Sequence, residues 1–276
     1  MVAVLSAPAP GPNAVATDNT YVISFSAEEV SRLDNQHLAF AEYIGNRLSF
    51  APLNTPRRIL ELGAGTGAWA VQAALMYPDA EVTAVDRISL PSRAIPPNIC
   101  FEKLDLTDEF PWKANEFDII HLRFVLFHLP RPVQVLRRIF DLLAPGGWLL
   151  VEEPHSLEYP EGPGVAQHKR DSILQTLMES HGMDWAIGTQ IPTILKESTL
   201  FEVETLQVSI PFLPIPEDAW MRTIRKAYIE MTTKGSTPAL VAAGLTPALQ
   251  TEWAEEMDHI SMTFHIVFTW SRKCQT

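Results

Sequence analysis

The chain has little cysteine and little positive charge, and each shortage narrows what it does. Cys100 and Cys274 are its two cysteines and lie far apart in sequence. With neither a CxxC pair nor a ladder of spacings, they argue against a zinc site or a disulfide framework and for a reducing compartment. No apolar run approaches the ~18 residues of a membrane span. The start, Met1 to Ser6, is too short for a signal h-region and has no basic n-region. A cytoplasmic protein with no membrane partner is the expectation. Lys and Arg number 21 against 33 Asp and Glu, a net charge of −12, which disfavours attraction to nucleic acid or anionic lipid. The pairs Arg57-Arg58 and Arg137-Arg138 read as solvated flanks. What remains, 46% hydrophobic residues over 276 positions, describes a globular chain long enough for one large core.

The densest signal is Ile59-Leu60-Glu61-Leu62-Gly63-Ala64-Gly65-Thr66-Gly67-Ala68-Trp69. A strand-like pair runs into an acid, then into glycines at every second position, then into a helix-forming run. Such glycines let the backbone turn sharply and let a ligand approach the main chain. Ala80 to Val85 reads as a second strand ending in Asp86, about 20 residues past the last glycine, where a ribose diol would find an acceptor. The third glycine comes one residue too early for the dinucleotide pattern G-x-G-x-x-G. With Glu61 in front, the stretch resembles motif I of the class I S-adenosylmethionine-dependent methyltransferases, and the resemblance runs from about residue 56 to 154.

Around that stretch, strands are predicted at 58–62, 81–86, 99–104, 117–122 and 147–153, and helices at 67–76, 131–143 and, short, near 90–95. The alternation argues for an α/β fold, a Rossmann-like, mostly parallel sheet with helices on both faces. A helix over about 163–181, an alternating strand at 201–208 and a closing strand at 264–270 complete seven strands. Helical text at 218–231 and 247–259 marks a helical cap, about 211–260, inserted before the last strand. Residues 1–20, rich in Pro, Ala and Gly, read as a disordered tail. Residues 21–55 read as an N-terminal helical lid whose helix starts at a capping box, Ser26 with Glu29; residues 56–276 form the main domain.

The resemblance implies roles for individual residues. The main chain at Gly63, Ala64, Gly65 and Gly67 would lie against the methionine part of S-adenosylmethionine, Glu61 would act through water or the ammonium side, and Asp86 would accept both ribose hydroxyls. Arg87 either stacks along the adenine or is solvated. Asp105 either accepts from the adenine amino group, with the backbone at Leu106 bonding a ring nitrogen, or is an N-cap. The stretch Phe117 to Pro130 is similar to the family's fourth-strand motif, with Phe127 replacing the first of two histidines. The backbone near Leu122 would face the cofactor's amino acid end. His128 is a general base or a loop anchor. Arg123 neutralises a substrate carboxylate or pairs with an acid of the cap. Glu153 and His155, at the end of the fifth strand, are further candidates, Glu153 for catalysis and His155 for substrate contact.

A narrower similarity lies in Tyr21-Val22-Ile23, Glu28-Glu29 and Arg32-Leu33-Asp34-Asn35-Gln36-His37. It resembles a pattern of fungal secondary-metabolism methyltransferases, a group that includes tailoring enzymes and a regulator of metabolite clusters. It implies that Tyr21, Gln36 and His37 fold over the cofactor; a plain packing helix is the other reading. The N/D-P-P-Y/F motif of DNA-adenine and glutamine methyltransferases is absent, and so is the acidic trio of magnesium-dependent catechol-type enzymes, so no metal is expected. Trp185, Phe212, Trp220, Tyr228 and Met231 suggest an apolar pocket under the cap. The expectation is methyl transfer to a small, largely apolar metabolite, with O-, N- and C-acceptors all open. The alternatives are a regulatory protein acting through a partner and a cofactor-bound catalyst of rearrangement. The sequence carries no signal of oligomeric state.

Overall fold

The computed structural model describes residues 27–213, 218–234 and 238–275. Tyr21, Ser26 and the tail at 1–20 lie outside the described residues. Seven strands form one sheet in the order β3-β2-β1-β4-β5-β7-β6: β1 (Arg58–Leu62), β2 (Glu81–Asp86), β3 (Ile99–Lys103), β4 (Phe117–Arg123), β5 (Leu143–Glu158), β6 (Phe201–Phe212) and β7 (Met262–Lys273). The first five run parallel, and β7 lies antiparallel between β5 and β6.

The central strands β1 and β4 are buried along most of their length because both faces are covered. Successive side chains point to opposite faces. Leu60, Leu62, Ile120 and Leu122 pack with α3 (Pro132–Leu142) and α5 (Ile187–Glu197) on one side. Ile59 and Ile119 pack on the other side with Trp69, Ala70 and Ala73 of α2 (Ala68–Met76). Each fully buried Leu or Ile contributes about 1.5–3 kcal/mol.

A third cluster sits at the end of the sheet formed by β6 and β7. There α1 (Ala27–Tyr43) presents Phe40, α6 (Ala219–Lys234) presents Ile224 and Tyr228, and α8 (Pro247–Met257) presents Trp253, all against Phe212, Phe264 and Ile266. Thr246 caps α8, its hydroxyl accepting from the Leu249 amide at 3.2 Å, with Pro247 in the first turn. The helix α4 (Val165–Ser180) and the short α7 (Pro238–Ala242) complete the described elements.

Three local expectations need correction. No helix forms at 90–95: Pro91 interrupts it, and the residues before Pro96 and Pro97 are biased away from helical angles. The fifth strand starts earlier and runs further than 147–153, to Glu158, because β7 pairs along most of that length. Helix α5 is not among the predicted elements, and Pro192 lies inside it. Its buried residues Ile187, Ile191, Ile194 and Leu195 nevertheless follow the i, i+4, i+7, i+8 spacing of an amphipathic helix. Gly188 lets it approach β5: a Cβ there would stand 2.5 Å from the Pro154 carbonyl oxygen.

Candidate active site

The strand order reverses between β1 and β4, and in open parallel sheets such a switch point leaves a crevice beyond the carboxyl ends of the strands. A cavity of about 560 Å3 occupies it. At its floor the chain leaves β1 through Gly63, Gly65 and Gly67, with φ of 72°, 56° and 75°. These left-handed values suit glycine. The Cβ of any residue at 63 would stand 2.3 Å from Cγ2 of Val125, so the loops after β1 and β4 touch through the missing side chain. Asp86 ties this turn to the end of β2. One carboxylate oxygen accepts from the Gly65 amide at 2.8 Å and the other from the Ile88 amide at 2.9 Å. Burial raises its pKa against those bonds. The carboxylate keeps capacity for a further donor.

Gly63, Ala64, Gly65, Asp86, Arg87, Asp105 and Leu106 all line the cavity. Gly67 does not line it; its role is the turn, where a Cβ would meet Leu90 at 2.9 Å. Asp105 caps no helix. It accepts from the Thr107 amide at 2.9 Å and the Thr107 hydroxyl at 2.7 Å, closing a turn at the cavity wall. Leu122 points its side chain into the core, and the cavity is met by Arg123, Phe124 and Val125 instead. Phe124 has φ of 56°, an uncommon value for a residue with a side chain, at the point where β4 opens into the loop.

Helix α1 covers this floor with Arg32, Leu33, Gln36 and His37. A cluster absent from the sequence reading anchors it. Asp34 accepts from the Thr66 hydroxyl at 2.6 Å and from Arg93 at 3.0 Å, and Arg93 also donates to the Thr66 carbonyl at 3.0 Å.

The expected catalytic and substrate residues separate. His128 lines the cavity, and its pKa is lowered to about 3, first by burial and then by the charges of Arg32 and Arg87. Glu153 does not line it. Its carboxyl group is wholly buried and accepts the amides of Val125 at 2.9 Å and Leu126 at 2.7 Å, holding the 3₁₀ turn Leu126–His128 in place. Burial pushes its pKa up to about 8 despite those bonds. His155 also lies off the cavity, beside the ring of His265. Arg123 lines it, but its guanidinium pairs with Glu152, its register partner on β5, rather than with an acid of the cap.

Beyond Phe124 the cavity turns aromatic, bounded by Phe127, Trp185, Tyr228 and Phe264. Phe127 and Trp185 meet edge to face at 5.2 Å. Phe212 and Trp220 do not line it: Phe212 is core behind Tyr228, and Trp220 packs on Tyr43. Tyr228 is backed by a polar group under the cap. There Gln167 accepts from the indole of Trp253 and donates to Asp171 at 2.6 Å, and Asp171 also accepts from Tyr159 at 3.1 Å.

Comparison with known proteins agrees with this geometry. A family model described as a methyltransferase domain matches residues 35–187. The chain is 38% identical over 271 residues to methyltransferase str2 of Strobilurus tenacellus, covering 94% of each chain. It is 27% identical to the secondary metabolism regulator LAE1 of Cochliobolus heterostrophus, over 82% of this chain and 76% of that one. Among solved structures, the [4+2]-cyclase SpnF superposes with a TM-score of 0.54 at 17% identity, over 87% of this chain and 82% of that one, a likeness of fold. With the domain match over more than half its length and a methyltransferase relative along nearly all of it, the chain belongs to the class I S-adenosylmethionine-dependent methyltransferases.

Proposed function

We propose that the protein transfers a methyl group from S-adenosylmethionine to a small, largely apolar acceptor in secondary metabolism. The observation that carries this reading is a single cavity with two characters. One end is the glycine turn with Asp86, and the other is the aromatic enclosure under the cap. The residues present fit the cofactor: the turn has no side chain at Gly63 or Gly65, and Asp86 keeps acceptor capacity in a buried position.

When bound, the cofactor supplies an electrophilic methyl group on a sulfonium. Asp86 holds the ribose hydroxyls, and Asp105 and the Leu106 amide hold the adenine edge, with Arg87 beside it. The main chain at Gly63 to Gly65 takes the amino acid end. Gln36 and His37 of α1 close the site from water. Exclusion of water and in-line placement provide most of the rate for such a donor. The aromatic walls bind the acceptor, and the engagement of Arg123 with Glu152 fits an acceptor without a carboxylate. His128 is neutral at physiological pH, so it accepts a hydrogen bond from an acceptor hydroxyl and orients it. A proton acceptor with a pKa near 3 is a weak base, so His128 positions more than it deprotonates.

The similarity to LAE1 along most of the chain supports a second reading, a regulator that binds the same cofactor and acts through a protein. Incubation with methyl-labelled S-adenosylmethionine and a panel of apolar phenols and amines separates the two. Label in an extractable small molecule is the expected result. Label confined to protein favours the regulator, and cofactor binding with no transfer to either overturns the proposal.

A further inference from the structure

Five side chains form a buried polar chain from the cavity floor to α1. Glu61 lines the cavity; its Oε2 accepts the Ala70 amide at 3.0 Å, and its Oε1 lies 3.6 Å from His121 Nδ1. His121 Nε2 lies 3.9 Å from Glu152 Oε1. Glu152 pairs through its other oxygen with Arg123 Nε, and Arg123 Nη1 reaches His37 Nδ1 at 3.3 Å. Glu61, His121 and Glu152 are 5%, 1% and 3% exposed.

The charges of this chain do not balance. Two carboxylates share one guanidinium, and Arg123 is engaged by Glu152. The other cations around the cavity are engaged elsewhere: Arg87, after Asp86, acts on Asp86 and His128. Asp86 of β2 is acidic. On α1, Arg32 pairs with Glu29 and Asp34 with Arg93. Helix α2 offers a neutral indole, Trp69, stacked on His121 at 3.9 Å with 9° between the rings, and the Ala70 amide. A buried carboxylate without a counter-charge is costly and is relieved by a proton or by a cation. Neither nitrogen of His121 has a hydrogen-bond partner, although the ring is buried between two carboxyl groups.

We propose that the Glu61–His121 pair holds a proton while the cavity is free, and gives it up when a cationic group of the ligand seats against Glu61. Cofactor binding is then coupled to the release of one proton, and His121 is a positioning residue for the site. This rests on the cofactor reading above. The pKa of Glu61, pushed up to about 8 by burial and lowered again only in part by Arg123, agrees with the proton residing there. His121 is held well below its ordinary value, first by burial and then by the charge of Arg123, so it stays the neutral neighbour of Glu61.

The sign follows from linkage. The free protein binds more protons than the complex, so affinity rises with pH, by up to about tenfold per unit below pH 8, and levels above it. The test is calorimetry of S-adenosylhomocysteine with the full chain at pH 7, in phosphate and in Tris, whose ionisation heats differ. Wild type should release close to one proton, about 0.9 for a pKa near 8. Glu61→Gln should bind with equal heats in both buffers and an affinity independent of pH between 6 and 8. 5′-Methylthioadenosine, which lacks the ammonium group, should bind wild type without release, and this arm decides even where Glu61→Gln fails to fold. Binding of S-adenosylhomocysteine with no proton release overturns the inference and leaves the cofactor assignment standing. Equal release by 5′-methylthioadenosine also overturns it. Absence of any binding to folded wild type overturns the cofactor assignment and the inference together.

Discussion

Gly63 and Gly65 share a left-handed backbone but have different neighbours. A Cβ at 65 meets only Leu33, at 3.7 Å, whereas at 63 it overlaps Val125 Cγ2 at 2.3 Å. Left-handed backbone costs a residue with a side chain about 1–2 kcal/mol, and overpacking adds about 1–3 kcal/mol. Thermal or urea denaturation should therefore find Gly65→Ala milder by about 1–3 kcal/mol than Gly63→Ala. Val125→Ala should recover part of the loss at 63, because the two positions are in contact. Additive effects of the pair would contradict the overlap. For His128, a low pKa and a place on the cavity wall predict that His128→Gln lowers kcat less than the ~100-fold expected for loss of a general base. Affinity for S-adenosylhomocysteine should stay unchanged. A loss of 100-fold or more in kcat would make His128 the base after all.

At the scale of elements, α1 closes the cavity by few bonds. Asp34 and Arg93 each keep 28% of their side-chain surface exposed, so solvent weakens their pairing. Asp34→Ala should therefore cost about 0.5–1 kcal/mol, roughly a two- to fivefold loss of affinity for S-adenosylhomocysteine. It should also speed amide exchange within α1 while leaving the sheet unchanged. Unchanged exchange in α1 would mean that packing on the sheet, Phe40 against Phe124 and Phe268, holds the helix by itself. Much of this level was legible beforehand. The alternation of β1 to β4 with α2 and α3 follows from apolar runs and turn residues, and the cap helices α6 and α8 from their periodicity. Helix α5 was hidden because Pro192 reads as a breaker, while the tertiary contact of Gly188 with β5 keeps the helix in place.

For the whole molecule, buried titratable groups set the pH range of stability. Glu61 and Glu153 have folded pKa values raised from 4.5 to about 8, so the stability they contribute is complete below about 4.5 and is lost as pH rises to 8. His37 and His128 are lowered from 6.5 to about 3, so theirs is complete above about 6.5 and is lost as pH falls toward 3. The two losses oppose each other between 4.5 and 6.5. Cofactor-free protein should melt highest in that interval, lower at pH 8 and steeply lower below 4.5, as followed by scanning calorimetry. A melting temperature that climbs steadily to pH 8 would show that Glu61 and Glu153 are ionised in the fold. The same measurement with saturating S-adenosylhomocysteine should flatten the alkaline side, since a ligand bound at Glu61 favours its charged form.

The sequence by itself determined the turn and the two carboxylates beside it. Glycines at alternate positions after an apolar strand, and an acid closing the next strand, leave few other conformations or uses. It also determined the layered sheet, because runs such as Arg58–Leu62 and Phe117–Arg123 bury both faces. Only the tertiary structure decided which polar residues meet. The pairing of Glu61 with His121 and of Arg123 with Glu152 follows from the register of β1 on β4 and of β4 on β5. A slip of one residue would turn each of those side chains to the opposite face. Nor do the residues themselves distinguish Glu152 from Glu153. Adjacent on one strand, they face opposite ways, one to Arg123 beside the cavity and one to the amides behind it.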